Sequence, residues 1–391
     1  MAVAVVKYTD LNSIHRAIEM VDGLAELKPG DKVLIKPNAL MGGSPKVSCR
    51  GITTSPEVVK GVIQMVKEKG CSDITIAEGA VDIPGLKLDT DAAFVWSGLK
   101  ALAEEEGVRL VDLNKPPHRE VVILGDQEME IGEAVFDADF VINIPVMKTH
   151  AQTRVTLGLK NLKGCLAPES KKKCHIELNL HNAIAEFNTH IPCDLVVLDA
   201  LTAMETGPTP VKEDSVKEMG LILASKDRLE CDVVGSYLLG YEAASVPHIA
   251  RYAELVGRSA DLEKVEVLGE DIDQYRLKLD YYFNWAEHMI ENFDIKGLRM
   301  PYYGDHLCSA CGFNLYAGLL YFCRENRGAS FDNVEFCSGL SVRPSKGAKK
   351  VALLGKCAVK ANKGLKDAIK IGACPPDPKK MAEKLTEALN K

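Results

Sequence analysis

Through its first half the chain repeats one pattern: a short apolar run, a turn, then a stretch with apolar residues at helical spacing. The runs at Lys32 to Lys36, Asp73 to Ala77, Arg109 to Asp112 and Phe140 to Ile144 have the length of strands. Alternating with helices, they predict an α/β fold with mostly parallel sheets covered on both faces. Between the first two runs, Ser55 suits a helix N-cap and Pro56 its first turn, while Val58, Val59, Val62, Ile63 and Val66 form the buried stripe. Lys69-Gly70 is a typical end for that helix.

A second α/β stretch begins after the lysine-rich segment Ser170 to Lys173, with strands at Leu195 to Asp199 and Leu221 to Ala224 and a helix at Asp232 to Leu239. From about Tyr302 the texture turns to cysteine, glycine and aromatic residues, and a polar helix at Pro378 to Asn390 ends the chain. These shifts divide the sequence into 1–170, 171–300 and a cysteine-rich segment, 301–391. Pattern alone leaves open whether the first two share one sheet.

With 391 residues the chain can bury substantial cores, and its net charge of −7 argues against nucleic acid as the main partner. The N-terminus lacks a signal-peptide pattern and no apolar run is long enough to span a bilayer, so the expectation is a cytoplasmic protein without a membrane partner. In that setting the twelve cysteines are thiols or ligands, not a disulfide framework.

Cys308 and Cys311 form a C-x-x-C pair, and Cys357 and Cys374 lie in glycine-containing loops that allow close backbone approach. Together they make the best set of four for a [4Fe-4S] cluster, with Cys337 as substitute ligand; a Cys₄ zinc site fits the same residues. Flavin stays open, because its pockets need not leave a short motif. Cys323, in an apolar helical run, reads as core.

Three further groups lie at strand ends or nearby, where open α/β sheets bind ligands. Lys148, Thr149 and His150, followed by Thr156, Lys160, Asn161 and Lys163, suit a carboxylate or phosphate, and His150 can move a proton near neutral pH. Lys36, Asn38 and Thr54 precede a helix start that could hold an anion. His175, His181, Asp199 and Glu205 form a weaker set for acid–base work or a divalent ion. No P-loop or dinucleotide-binding fingerprint is present.

Val33 to Asn38, Thr53 to Val59, Ile76 to Gly79, Pro145 to His150 and Leu159 to Gly164, continued by Asp194 to Pro208 and Asp232 to His248, resemble the family catalogued as domain of unknown function 362. That resemblance covers about residues 1–250 and implies an association with iron–sulfur centres, although the compact ferredoxin run of cysteines is missing. The first half is also distantly similar to the lactate-racemase-like superfamily, whose lysine and histidine residues serve a nickel cofactor and substrate.

The leading expectation is an iron–sulfur oxidoreductase acting on a small anion. Lys148, His150 and Lys160 would be catalytic, and Lys36, Asn38, Thr54, Thr156 and Asn161 would bind substrate. The alternatives are a racemase or isomerase of the lactate-racemase type using a metal cofactor, and a non-catalytic electron carrier or cluster scaffold. A redox protein is the candidate macromolecular partner and a homodimer the candidate assembly.

Overall fold

In the computed structural model, which describes residues 2–390 apart from 45, 83–87, 210–213, 302–306, 308 and 341, the apolar runs become strands of one large sheet. Its strands are β1 (Ala2–Lys7), β2 (Val33–Pro37), β3 (Ile74–Glu78) and β4 (Arg109–Asp112). After a separate hairpin, β5 (His118–Ile123) with β6 (Gln127–Gly132), come β7 (Phe140–Ile144), β8 (Val146–His150), β9 (Arg154–Thr156), β10 (Leu195–Met204), β11 (Val216–Ser225) and β12 (Glu266–Gly269). The order across the sheet is β12-β1-β11-β10-β7-β2-β3-β4, and β8 and β9 branch from β10. Strand β11 is antiparallel to both its neighbours and β9 to β8, while the other pairs are parallel.

Residues of opposite parity on each strand enter two different cores. Leu34, Val141, Val196 and Leu198 face one core with the helices Leu180–Phe187, Arg228–Leu238 and Pro247–Leu255. Val33, Ile35, Ile142 and Val197 face the other with Leu11–Glu19, Pro56–Glu68 and Leu99–Glu106. Burial on both faces explains why β2, β3 and β7 read as continuous apolar runs. Each fully buried Val, Leu or Ile contributes about 1.5–3 kcal/mol relative to its exposed state.

The predicted α/β class holds, but the units differ from the three expected segments. Met1–Cys174 with Leu178–Tyr282 forms one unit and His175–Glu177 with Phe283–Lys391 the other. Position 170 is no boundary, because β10, β11 and β12 complete the sheet begun by β1 to β9. The second unit also begins before 301. It contains a parallel sheet, β13 (Lys296–Arg299), β14 (Ser330–Ser338), β15 (Lys350–Leu354) and β16 (Ile369–Ile371), in that order. Phe336, Ala352 and Leu354 pack with Leu315, Phe322 and Leu385 on one face, and Cys337 and Leu353 with Ala358 on the other.

Leu198 in β10 is fully buried in the first core. Leu198→Ala should cost about 3 kcal/mol, read as a lower urea midpoint at unchanged slope; a cost under about 1 kcal/mol would contradict this packing.

Candidate functional site

Parallel pairing sets the carboxyl ends of β2, β3 and β7 side by side, with Lys36 opposite Asn143 and Pro37 opposite Ile144. At this edge Lys36 Nζ lies 2.8 Å from Glu78 Oε1, and both side chains are almost wholly buried. Glu78 also accepts from the backbone N–H of Ala39 and Gly79, and Lys36 donates to the carbonyl of Pro37. The pair is thus both charge-balanced and hydrogen-bonded, as a buried ion pair requires. Gly164 packs onto it so closely that an added Cβ would stand 2.1 Å from Glu78 Oε1 and 2.7 Å from Lys36 Nζ.

Several residues read from the sequence as substrate ligands instead tie this edge together. Thr54 Oγ1 donates to the carbonyl of Ile144 at 2.6 Å and accepts from Asn38 N–H at 2.8 Å. Asn161 Nδ2 donates to Asn143 Oδ1 and, at longer range, to the carbonyls of Lys36 and Pro37. The helix start after Thr54, expected to be an anion site, already has its carboxylate: Ser55 N–H donates to Asp199 Oδ2 at 2.7 Å. Leu201 N–H donates to the other oxygen, so both oxygens of Asp199 accept from backbone, and among the described residues no metal-holding group of three forms around it and the histidines. Burial nevertheless raises the Asp199 pKa. His181 stacks on His248, with ring centroids 5.7 Å apart, and burial pushes the His248 pKa well down.

Other predicted residues keep chemical capacity. Lys148, on β8, is fully buried; its ammonium donates to the carbonyl of Ile52 and, at 3.5 Å, to Asn38 Oδ1. Burial, helped by the charge of Lys160, lowers its pKa to about 7. Thr156 lies directly opposite Lys148 in the antiparallel β8–β9 pair, and its buried hydroxyl has no hydrogen-bond partner among the described residues. Lys160 is half-buried, and burial, then Lys163 and Lys36, lowers its pKa to about 7 as well. His150 accepts the N–H of Gln152 on Nδ1 at 3.0 Å, so the neutral ring carries its proton on Nε2.

Sequence reading missed three contributors. Glu78 ends the apolar strand β3, and a carboxylate in that place implies a buried partner, here Lys36. Lys171, placed in a linker-like segment, donates at 2.6 Å to both the carbonyl of Gly79 and Asn114 Oδ1, and burial lowers it to about 7. Asp232, fully buried, clamps the turn that carries Lys160 by accepting from Gly158 N–H at 2.6 Å and Leu159 N–H at 3.0 Å.

In the second unit, Cys308 lies outside the described residues. Cys311, in the first turn of the helix Ser309–Glu325, has its Sγ 3.8 Å from where a Cβ on Gly355 would stand. Cys357 follows two residues later, opening the helix Lys356–Ala361 after β15. Lys356 N–H bonds to the carbonyl of Ala373, the residue before Cys374. Cys337 fits a substitute ligand poorly: its buried side chain packs with Val342, Leu353 and Ala358, on the sheet face opposite the core that holds Cys311. Among the described residues, no three of His, Cys, Asp or Glu stand close enough to hold a metal ion.

Residues 33–237 match the model of the domain of unknown function DUF362. The chain belongs to the DUF362 family. The thylakoid-associated protein sll1697 of Synechocystis sp. is 31% identical over 259 residues, spanning 63% of this DUF362 chain and 74% of that protein. Among solved structures, lactate racemase apoprotein from Thermoanaerobacterium thermosaccharolyticum matches at 12% identity and a TM-score of 0.42, covering 100% of this chain and 81% of that one. A structural-genomics protein from Thermotoga maritima matches at 13% identity and a TM-score of 0.35, over 54% of each chain. Neither structural likeness assigns an activity. Among the described residues of this DUF362 member, no helix is long and apolar enough to cross a membrane.

The lowered pKa of Lys148 has a consequence for stability. Its folded value of about 7 lies below the unfolded value of about 10.4, so above pH 7 the unfolded chain binds more protons at this group and stability rises with pH. The rise in urea midpoint from pH 7 to pH 8 should therefore be smaller in Lys148→Met than in the native protein. An equal rise in both would place the Lys148 pKa outside that window.

Proposed function

We propose that the carboxyl edge of the large sheet binds a small anionic substrate and moves a proton on it, the chemistry of a racemase or isomerase. The observation that carries this reading is the pair of lysines lowered to about 7, Lys148 from β8 and Lys160 from the short helix Gly158–Asn161. A lysine that is part neutral at pH 7 serves as a general base, and its protonated form as the matching acid. Thr156 Oγ1 and the Nε2 proton of His150 add donors for a carboxylate or developing oxyanion. The carboxylates Glu78, Asp199 and Asp232 accept from protein groups and give the edge its shape.

A resident metal does not suit these residues. His150 presents a donor on Nε2, and no group of three ligand side chains gathers among the described residues. The proton-transfer reading therefore includes no metal step. Its test is exchange of the Cα hydrogen of a panel of 2-hydroxy carboxylates in D₂O, followed by proton NMR without added oxidant or reductant. Exchange that falls at least about 100-fold in Lys160→Met supports the reading. Turnover that requires an electron donor or acceptor would reject it.

The meeting of Cys311, Gly355 and Ala373 favours a second reading, an iron–sulfur oxidoreductase or electron carrier. Cys311, Cys357 and Cys374, with Cys308, would hold the cluster, and glycine at 355 leaves room beside the sulfur. When bound, such a cluster supplies one-electron transfer. Anaerobically reconstituted protein should then contain about four irons per chain, and stoichiometric zinc in native protein would reject it.

A further inference from the structure

The chain as a whole is acidic, yet between Arg343 and Lys370 it carries nine basic residues and a single acidic one, Asp367. Within this stretch Lys346, Lys356, Lys360, Lys363 and Lys366 are exposed, and among the described residues none has an ion-pair partner. Lys356 and Lys360 are four residues apart on the helix Lys356–Ala361 and so share a face, and Lys363 and Lys366 follow directly. Cys357 is the second residue of the same helix, just past β15, where Cys311 approaches Gly355 and the carbonyl of Ala373 accepts from Lys356 N–H. A stretch of exposed lysines therefore runs on from the carboxyl end of β15, around Cys357 in the chain.

Unpaired lysines on an exposed face contribute little to folding, but several together steer and orient an oppositely charged partner. A long polyanion would have to pass an otherwise acidic chain, whereas the compact acidic face of a protein can cover this stretch alone. We propose that Lys356, Lys360, Lys363 and Lys366 form a docking surface for an acidic protein of the electron-carrier class. The second reading above supplies only the redox class of the partner. Docking without cluster assembly would defeat that reading and leave this one standing.

The probe is flavodoxin, an acidic electron carrier, titrated against the full chain and against a Lys356→Glu, Lys360→Glu, Lys363→Glu variant. At about 0.02 M ionic strength the native chain should bind it at least about tenfold more tightly than the variant, with a smaller difference at about 0.15 M. Carbodiimide coupling should join flavodoxin carboxylates to these four lysines, and the melting temperatures of the two proteins should match. Absence of binding at low ionic strength, equal binding by the variant, or couplings mapped to other lysines would overturn the proposal. So would tighter binding of heparin or of phosphatidylglycerol vesicles than of flavodoxin.

Discussion

The buried contact between Lys36 and Glu78 organises the edge on which the rest depends. Two opposite charges removed from water interact strongly only if their remaining hydrogen-bonding capacity is also met. Here Ala39 N–H, Gly79 N–H and the carbonyl of Pro37 meet it. The contact joins the ends of β2 and β3 and sets how closely Gly164 must approach. It also fixes charges in the surroundings of the neighbouring lysines: Glu78 opposes the lowering at Lys148, Lys160 and Lys171, and Lys36 adds to it at the last two.

Around that pair the polar residues divide into two kinds. Asn161, Asn143, Thr54, Asp199 and Asp232 bond to backbone or to one another and hold the turns in place. Lys148 and Thr156 face each other on β8 and β9, His150 ends β8, and Lys160 follows the turn that Asp232 clamps; these four retain acid, base or donor capacity. Asp232 connects the two sets, since its carboxylate fixes Gly158 and Leu159 immediately before Lys160. An added Cβ at Gly158 would stand 2.8 Å from Asp232 Oδ1, so small size at that position is part of the clamp.

Much of the architecture was legible because strands buried on both faces leave unbroken apolar runs. The expected break at 170 failed for a physical reason. The polar segment around Lys171 looks like a linker, but β10 returns beside β7, a pairing between residues more than fifty positions apart that no local pattern records. The place of Lys148 and Lys160 was legible, because both follow the end of the apolar strand Phe140–Ile144 in the chain. Asp232 was not, because a single carboxylate in an apolar helix gains its role only from the turn packed against it. Likewise the alternation of side chains along β14 sends Phe336 and Cys337 to opposite faces, which a reading by cysteine spacing overlooked.

Burial and like charge leave Lys148 and Lys160 poised to exchange protons at neutral pH. The most direct test is an NMR titration of the side-chain ζ-nitrogens in lysine-labelled protein, assigned with Lys148→Met and Lys160→Met. The two resonances lost in these variants should titrate near pH 7. Midpoints for both near the unperturbed value of about 10.4 would contradict it.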